Sequence, residues 1–284
     1  TNFIYGGTYS ARLGGRLSQT LFSSGSATSY AAYAQGSLPI DQSTNLTLGL
    51  RYTIERRSIV ARGEQTYDNP PFVRPIPGLP LLTEEPLLDS KTFGELTWRA
   101  SVDRQLSPAV MGYLSVSRGF QSGGWNLQTP QIPAFSPEKL YAYEAGLKFV
   151  DRSRRLRADA NIFFYDYADI QVSAITPIGA ATANAASAES FGLGLQLQAQ
   201  PDRNTEVSLG LQALETRYKS FPNASCTNFA LDAVNPLAPF VCDATGNRFP
   251  YAPKLKFNVG ASHELSLGRA GFLLLGANLA YNSG

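Results

Sequence analysis

The sequence predicts an all-β protein, an antiparallel up-and-down transmembrane β-barrel of which about eleven strands are present. Three observations predict it. Apolar and polar residues alternate with a period of two through most of the chain. Many alternating runs exceed ten residues, whereas globular strands have a mode of about 5–6. The connections alternate between short and long, which sorts them to opposite ends of one meander.

The clearest run is Leu46 to Glu55. Leu46, Leu48, Leu50, Tyr52 and Ile54 alternate with Thr47, Gly49, Arg51, Thr53 and Glu55. Successive side chains of a strand point to opposite faces, so this run has one apolar and one polar face. The predicted runs are about 9–22, 28–38, 45–60, 91–106, 109–119, 139–150, 155–173, 188–200, 205–219, 252–266 and 271–282. Short turns are expected at 39–44, 107–108, 151–154, 201–204 and 267–270, and longer loops at 61–90, 120–138, 174–187 and 220–251. The first long-end connection, 23–27, is shorter. In a membrane barrel the apolar face meets lipid, the polar face lines the lumen, and closure removes unpaired strand edges from hydrocarbon. A soluble β-sandwich or an adhesin also alternates. Strand length, the glycines and glutamines of the polar face and the loop rhythm all weigh against it.

Composition excludes other classes. Charged residues make up 16%, against about 25% in a typical soluble domain. The net charge is +2 and the arginines form no basic tract, so nucleic acid is not an expected partner. No run of about 18 apolar residues is present, so no transmembrane helix is expected. The chain opens on TNFIYGG and closes on LAYNSG. The expectation is an internal piece of a longer protein, residues 1–284 being part of a barrel domain.

Four segments carry a family resemblance. Ser29 to Arg57, SYAAYAQGSLPIDQSTNLTLGLRYTIERR, resembles a strand–turn–strand unit of the TonB-dependent receptors. Ser117, Arg118, Gly119, Phe120, Ser122, Gly123, Gly124 and Asn126 resemble that family's S-R-G-F-K-S-G-G-F-N segment, with Gln121 and Trp125 departing from it. Pro137, Glu138, Tyr143, Glu144, Gly146 and Lys148 match the strand that follows. Asn161, Phe164, Tyr165, Tyr167, Asp169 and Gln171 resemble the next. The resemblance implies a barrel of about 22 strands with a plugged lumen, in the outer membrane of a Gram-negative bacterium. It implies no enzyme and no cofactor. It implies active import of a scarce large solute, most often an iron–siderophore complex, energised by TonB through a segment outside this chain. The implied partners are outer-membrane lipid, TonB and a small metal chelate. A passive porin and a binding-only surface protein are the alternatives.

The segment Val116 to Asn126 then reads as a strand leaving the membrane. Val116 is its last lipid-facing apolar residue, Arg118 reaches headgroup or loop acceptors, and Phe120 joins the aromatic girdle. Gly119, Gly123 and Gly124 are expected to turn the chain with positive φ. As a phosphate-binding loop the segment fails, because no Lys-Ser/Thr and no helix follow it.

Cys226 and Cys242, the only cysteines, share one long loop. In an envelope protein this points to a disulfide; two free thiols are the alternative. The single histidine, His263, lies in the apolar phase of its strand near a short turn, so neither a zinc site nor a Ser-His-Asp arrangement is expected. Arg51, Glu55, Glu95, Arg99, Asp103, Glu144, Lys148, Arg157 and Asp159 are expected on the lumen wall. The proline-rich stretch 67–88 carries Tyr67 and Phe72, which with Trp125 are candidate solute contacts; a stiff protective loop is the alternative reading.

Overall fold

The computed structural model describes residues 2–10, 16–68, 86–176, 179–184, 187–222, 224–225 and 241–283. Among them, eleven strands form one antiparallel sheet. They are β1 (Asn2–Ser10), β2 (Arg16–Pro39), β3 (Thr44–Asp68), β4 (Leu87–Ser107), β5 (Val110–Gln121), β6 (Glu138–Val150), β7 (Leu156–Ala168), β10 (Ser187–Ala199), β11 (Thr205–Ser220), β14 (Leu255–Ser266) and β15 (Phe272–Asn282). Two small hairpins stand outside it, β8 (Gln171–Thr176) with β9 (Gly179–Asn184) and β12 (Ala224–Ser225) with β13 (Val241–Cys242). Large-sheet strands pair with their sequence neighbours in that sheet, and β1 and β15 do not pair with each other, so the meander is an open arc. No helix among the described residues is long and apolar enough to cross a membrane, which says nothing about crossing by strands.

The pairing registers carry the alternation across the sheet. Leu50 pairs with Trp98, and Leu48 with Ala100, which in turn faces Val116 and then Tyr143. Ile162 pairs with Leu193 and Leu209 with Val259. One face is therefore continuously apolar and exposed, with Leu114 63% and Leu279 61% accessible. Arg51, Glu55, Glu95, Arg99, Asp103, Glu144, Lys148, Arg157 and Asp159 fall in the opposite phase. Connections at 40–43, 108–109, 151–155, 200–204 and 267–271 lie at one end and the long ones at the other.

Asp41, Asp151 and Asp202 shape three of the short turns. Each accepts bonds from groups two to five residues ahead: Ser43 and Thr44, Ser153 and Leu156, and Asn204 and Thr205. These bonds hold all three carboxyls below the usual carboxylate range.

The strand boundaries correct four expectations. No connection exists at 23–27, because β2 runs unbroken from Arg16 to Pro39. The count of eleven is reached by β1, which precedes it, and residues 11–15 lie outside the described residues. The loop expected at 61–90 is shorter, since β3 continues to Asp68 and β4 begins at Leu87. The run expected at 155–173 breaks at Asp169, whose φ of 56° ends β7 and starts β8. The loop expected at 174–187 contains a hairpin.

A sheet with one wet and one apolar face has no conventional core. The buried apolar cluster lies instead at the long-loop end, where Leu21, Ile59 and Ala61 pack beneath Trp125 and Leu127. Leu21, Ala61 and Ile59 are in the polar-face phase of β2 and β3. The loop 122–137 therefore crosses from β5 and folds back over that face.

Candidate functional site

The site is the mouth of the arc at its long-loop end, and the loop 122–137 is its central part. Short side chains on β2 make its seat. Ser23 Oγ donates to the Leu127 carbonyl at 2.7 Å. A Cβ on Gly25 would stand 3.2 Å from Leu127 Cδ2, so the absence of a side chain there admits Leu127. Within the loop, Gly124 and Phe135 bond each other reciprocally, N to O at 3.1 and 2.8 Å.

Side-chain amides tie this loop to the hairpin β8–β9. Asn126 Nδ2 donates to the Thr182 carbonyl at 3.0 Å, and the Thr182 N–H donates to Asn126 Oδ1 at 2.6 Å. Gln171 Nε2 donates to the carbonyls of Ser122 and Ser136 at 3.0 and 3.1 Å, while its own N–H donates to Glu138 Oε2 at 2.7 Å. Asn184 bonds both the N–H and the carbonyl of Ser136, and the Asp169 carbonyl. Loop and hairpin are thus one body, held largely through buried or half-buried groups. Such bonds cost most when one partner is removed. Asn184 was not singled out from sequence; ATANA carries no signal for it.

The glycines of this segment have a different role from the one expected. Among described glycines only Gly246, Gly268 and Gly271 have positive φ, so Gly119, Gly123 and Gly124 do not. Gly123 is glycine for space: its Cβ would lie 2.3 Å from the Phe135 carbonyl oxygen and 2.7 Å from the Phe93 ring. A Cβ on Gly124 would meet Arg57 and the Phe135 ring at 3.1 and 3.2 Å. At Gly119 it would meet nothing within 4 Å, and the structure does not explain that glycine.

Arg118 pairs in register with Trp98 at the last rung between β4 and β5. Beyond that rung β4 and β5 are no longer paired. The Arg118 guanidinium donates to the Leu96 carbonyl and, at 2.7 Å, to Glu95 Oε2. Its acceptors belong to β4, rather than to a headgroup or a loop. Lys139 approaches Glu95 and Asp169 at 3.9 and 4.0 Å. Phe120 is half-buried opposite Lys139.

Deeper on the polar face, Tyr113 donates to Glu144, which also accepts from Asn161 Nδ2 at 3.3 Å. Gly146 lies under the Tyr113 ring and Gly194 beside Asn161. Tyr165 stacks on Phe163 with centroids 4.7 Å apart. Tyr113, Asn161, Phe163, Tyr165 and Gly194 line a depression of about 590 Å³ with Lys148, Gln196, Gln212 and Lys256. Tyr167 belongs to an aromatic cluster at the mouth, edge-on to Phe249, which packs on Tyr218. Tyr143 is on the apolar face, tilted against Phe164.

Of the candidate solute contacts, Trp125 lines a cavity of about 360 Å³ with Gln128, Phe135 and Thr182. Tyr67 falls within β3 rather than in a loop, and Phe72 lies outside the described residues. Cys242 is disulfide-bonded; Cys226 lies outside the described residues. Among the described residues no cluster of three metal-ligating side chains occurs. Thr205 Oγ1 donates its one proton to Asp202 at 2.8 Å, so His263 Nδ1, 2.8 Å from the same oxygen, must donate to it. That arrangement is no nucleophile–base pair.

An antiparallel meander with a lipid-type face, a polar wall and a loop folded over that wall is an arc of a large outer-membrane barrel. The family description "TonB dependent receptor-like, beta-barrel" matches residues 1–284, and the chain belongs to that family. Solved structures share the fold. The ferric yersiniabactin uptake receptor FyuA of Yersinia pestis superposes with a TM-score of 0.67 at 18% identity, over 93% of this chain and 35% of its own. The siderophore receptor PiuA of Acinetobacter baumannii gives 0.63 at 17%, over 94% and 33%. The alcaligin outer-membrane receptor FauA of Bordetella pertussis gives 0.58 at 15%, over 99% and 45%. The chain thus spans less than half the length of these receptors. Receptors of this family lie in the outer membrane of Gram-negative bacteria, so the apolar face meets lipid, the polar face is the lumen wall and the short turns are periplasmic.

Proposed function

We propose that the receptor carrying this chain imports an iron–siderophore complex and is energised through TonB. The observation that carries the reading is the loop 122–137, folded over the lumen face and locked to its neighbouring hairpin. A passive pore is also narrowed by an inward-folded loop, so the receptor is favoured by the family to which the chain belongs. In a receptor, a loop braced in this way presents a fixed surface to a dilute solute. The uptake receptors of similar fold support the choice of cargo. A plug domain and about eleven further strands would complete the barrel, and this chain would be the part between them.

The test is uptake of radioiron delivered by a panel of siderophores, in an outer-membrane host lacking its own siderophore receptors and expressing the intact protein. Saturable uptake that disappears when TonB is deleted is expected. Large, unsaturable conductance in a planar bilayer, with uptake unaffected by loss of TonB, would establish the passive channel instead.

We further propose that Cys226 and Cys242 are bonded to each other. Cys242 is disulfide-bonded and the sequence offers one other cysteine. Closing a loop of this size restricts the open chain by about 3 kcal/mol. Alkylation and peptide mapping of the intact receptor should find Cys226 and Cys242 unlabelled before reduction and both labelled after it. Reduction should speed protease cleavage within 220–251 and leave the barrel resistant. Labelling without reduction would disprove the bond.

A further inference from the structure

We infer that the periplasmic rim of this barrel is a binding surface for the headgroups of anionic phospholipids in the inner leaflet of the outer membrane. The inference rests on the barrel and its orientation, not on the solute.

The two ends of the sheet treat charge differently. Every ion pair among the described residues lies in the extracellular half, such as Arg118–Glu95, Arg217–Glu189, Lys219–Asp166 and Arg248–Glu215. At the periplasmic end six exposed arginines stand at or beside the turns: Arg104, Arg152, Arg154, Arg155, Arg203 and Arg269. Among the described residues none of them forms an ion pair. The rim's own carboxylates serve them little: Asp41, Asp151 and Asp202 accept turn N–H and hydroxyl groups, and Arg104 attracts Asp41 without forming an ion pair with it. Asp103, Glu206 and Glu264 are in the lumen phase. All six cations are arginine, the side chain whose planar fork matches a phosphate. The surface beside them is the inner leaflet, so the complementary anion in reach is a lipid phosphate.

A second feature continues from the same rim. Gly112, the register partner of Arg104, lies with Ala145 and Ala160 in an apolar groove of about 690 Å³ flanked by Leu106, Leu147 and Ile162. A phospholipid whose phosphate meets Arg104 has its acyl chain in line with that groove.

The test uses the intact receptor, purified in mild detergent from mixed phosphatidylethanolamine–phosphatidylglycerol vesicles, with retained lipid quantified by mass spectrometry. The retained phosphatidylglycerol-to-phosphatidylethanolamine ratio should exceed that of the vesicle, by roughly fivefold where one arginine holds each bound lipid, and less so in high salt. Replacing the six arginines (Arg154, with its φ of 57°, by Asn and the rest by Gln) should abolish the enrichment. The pair Arg104→Gln and Arg269→Gln should reduce it, with heat-modifiable migration reporting a folded barrel in each case. Ala145→Phe should lower total retained phospholipid. Headgroup composition matching the vesicle in wild type, enrichment unchanged in the paired variant, or an acidic periplasmic protein bound at the rim in place of lipid would each overturn the inference.

Discussion

Gly123→Val is expected to abolish the proposed solute uptake by the intact receptor without preventing barrel insertion. Even the first carbon of the new side chain would be placed 2.3 Å from the Phe135 carbonyl oxygen and 2.7 Å from the Phe93 ring. Neither neighbour can yield cheaply. Phe135 is pinned by its two bonds to Gly124, and Phe93 is 6% exposed within β4. Overpacking of a fitted site typically costs about 1–3 kcal/mol, and here the obstacle includes backbone. The cheapest relief is for the loop 122–137 to lift from its seat. Trp125 then leaves Leu21, Ile59 and Ala61, and the Asn126 bonds to Thr182 are lost with it. In a background with every other tryptophan of the intact receptor replaced by Phe, Trp125 emission should shift to the red and the loop should become protease-sensitive. Gly119→Ala, four residues earlier, should change neither readout, because its Cβ meets nothing within 4 Å. Unchanged uptake and emission in Gly123→Val would mean that the docked loop does not shape the receptor's mouth.

The contrast between Gly123 and Gly119 also shows where one-dimensional reading stops. The period of two was legible because it reports which face each side chain occupies, and the sheet keeps that assignment from Leu50–Trp98 through Leu209–Val259. The short turns were legible for a similar reason: IDQS, DRSR and PDRN carry aspartates that bond the backbone just ahead. Residues 23–27 differ. SSGSA has the composition of a turn, yet β2 runs straight through it. Its small residues are the seat for Leu127, which arrives from 104 positions away in sequence. Glycine is ambiguous in the same way. It serves a positive φ or a close approach, and only the three-dimensional neighbour distinguishes them. Sequence therefore located the mouth of the receptor but could not describe how the loop fills it. That filling is made of long-range contacts between small and amide side chains, which have no local period.

Arg118→Leu is the second large effect, expected to destabilise the barrel by about 3 kcal/mol. Sequence phase puts Arg118 on the lipid side, as the register with Trp98, Ala100 and Val116 requires. Its guanidinium nevertheless meets Glu95 from the lumen phase, because the β4–β5 ladder ends at this rung. Both side chains are largely buried, at 14% and 12% exposure. Removing the cation leaves Glu95 with only Lys139, at 3.9 Å, and strips the Leu96 carbonyl of its side-chain donor. The penalty is then that of a desolvated carboxylate without a full partner, which exceeds what the pair contributes when intact. Glu95→Gln should cost less, about 1 kcal/mol, since its amide oxygen still accepts from Arg118. Urea unfolding of the intact receptor in detergent measures both, and the double variant completes the cycle. Its destabilisation should fall short of the sum by at least about 1 kcal/mol, because a neutral residue 95 no longer needs the cation. Additivity within about 0.5 kcal/mol would mean the two side chains do not act as a unit. The arginine of this segment would then be held by the Leu96 carbonyl and the Tyr141 ring, 5.9 Å from its guanidinium carbon, rather than by its carboxylate.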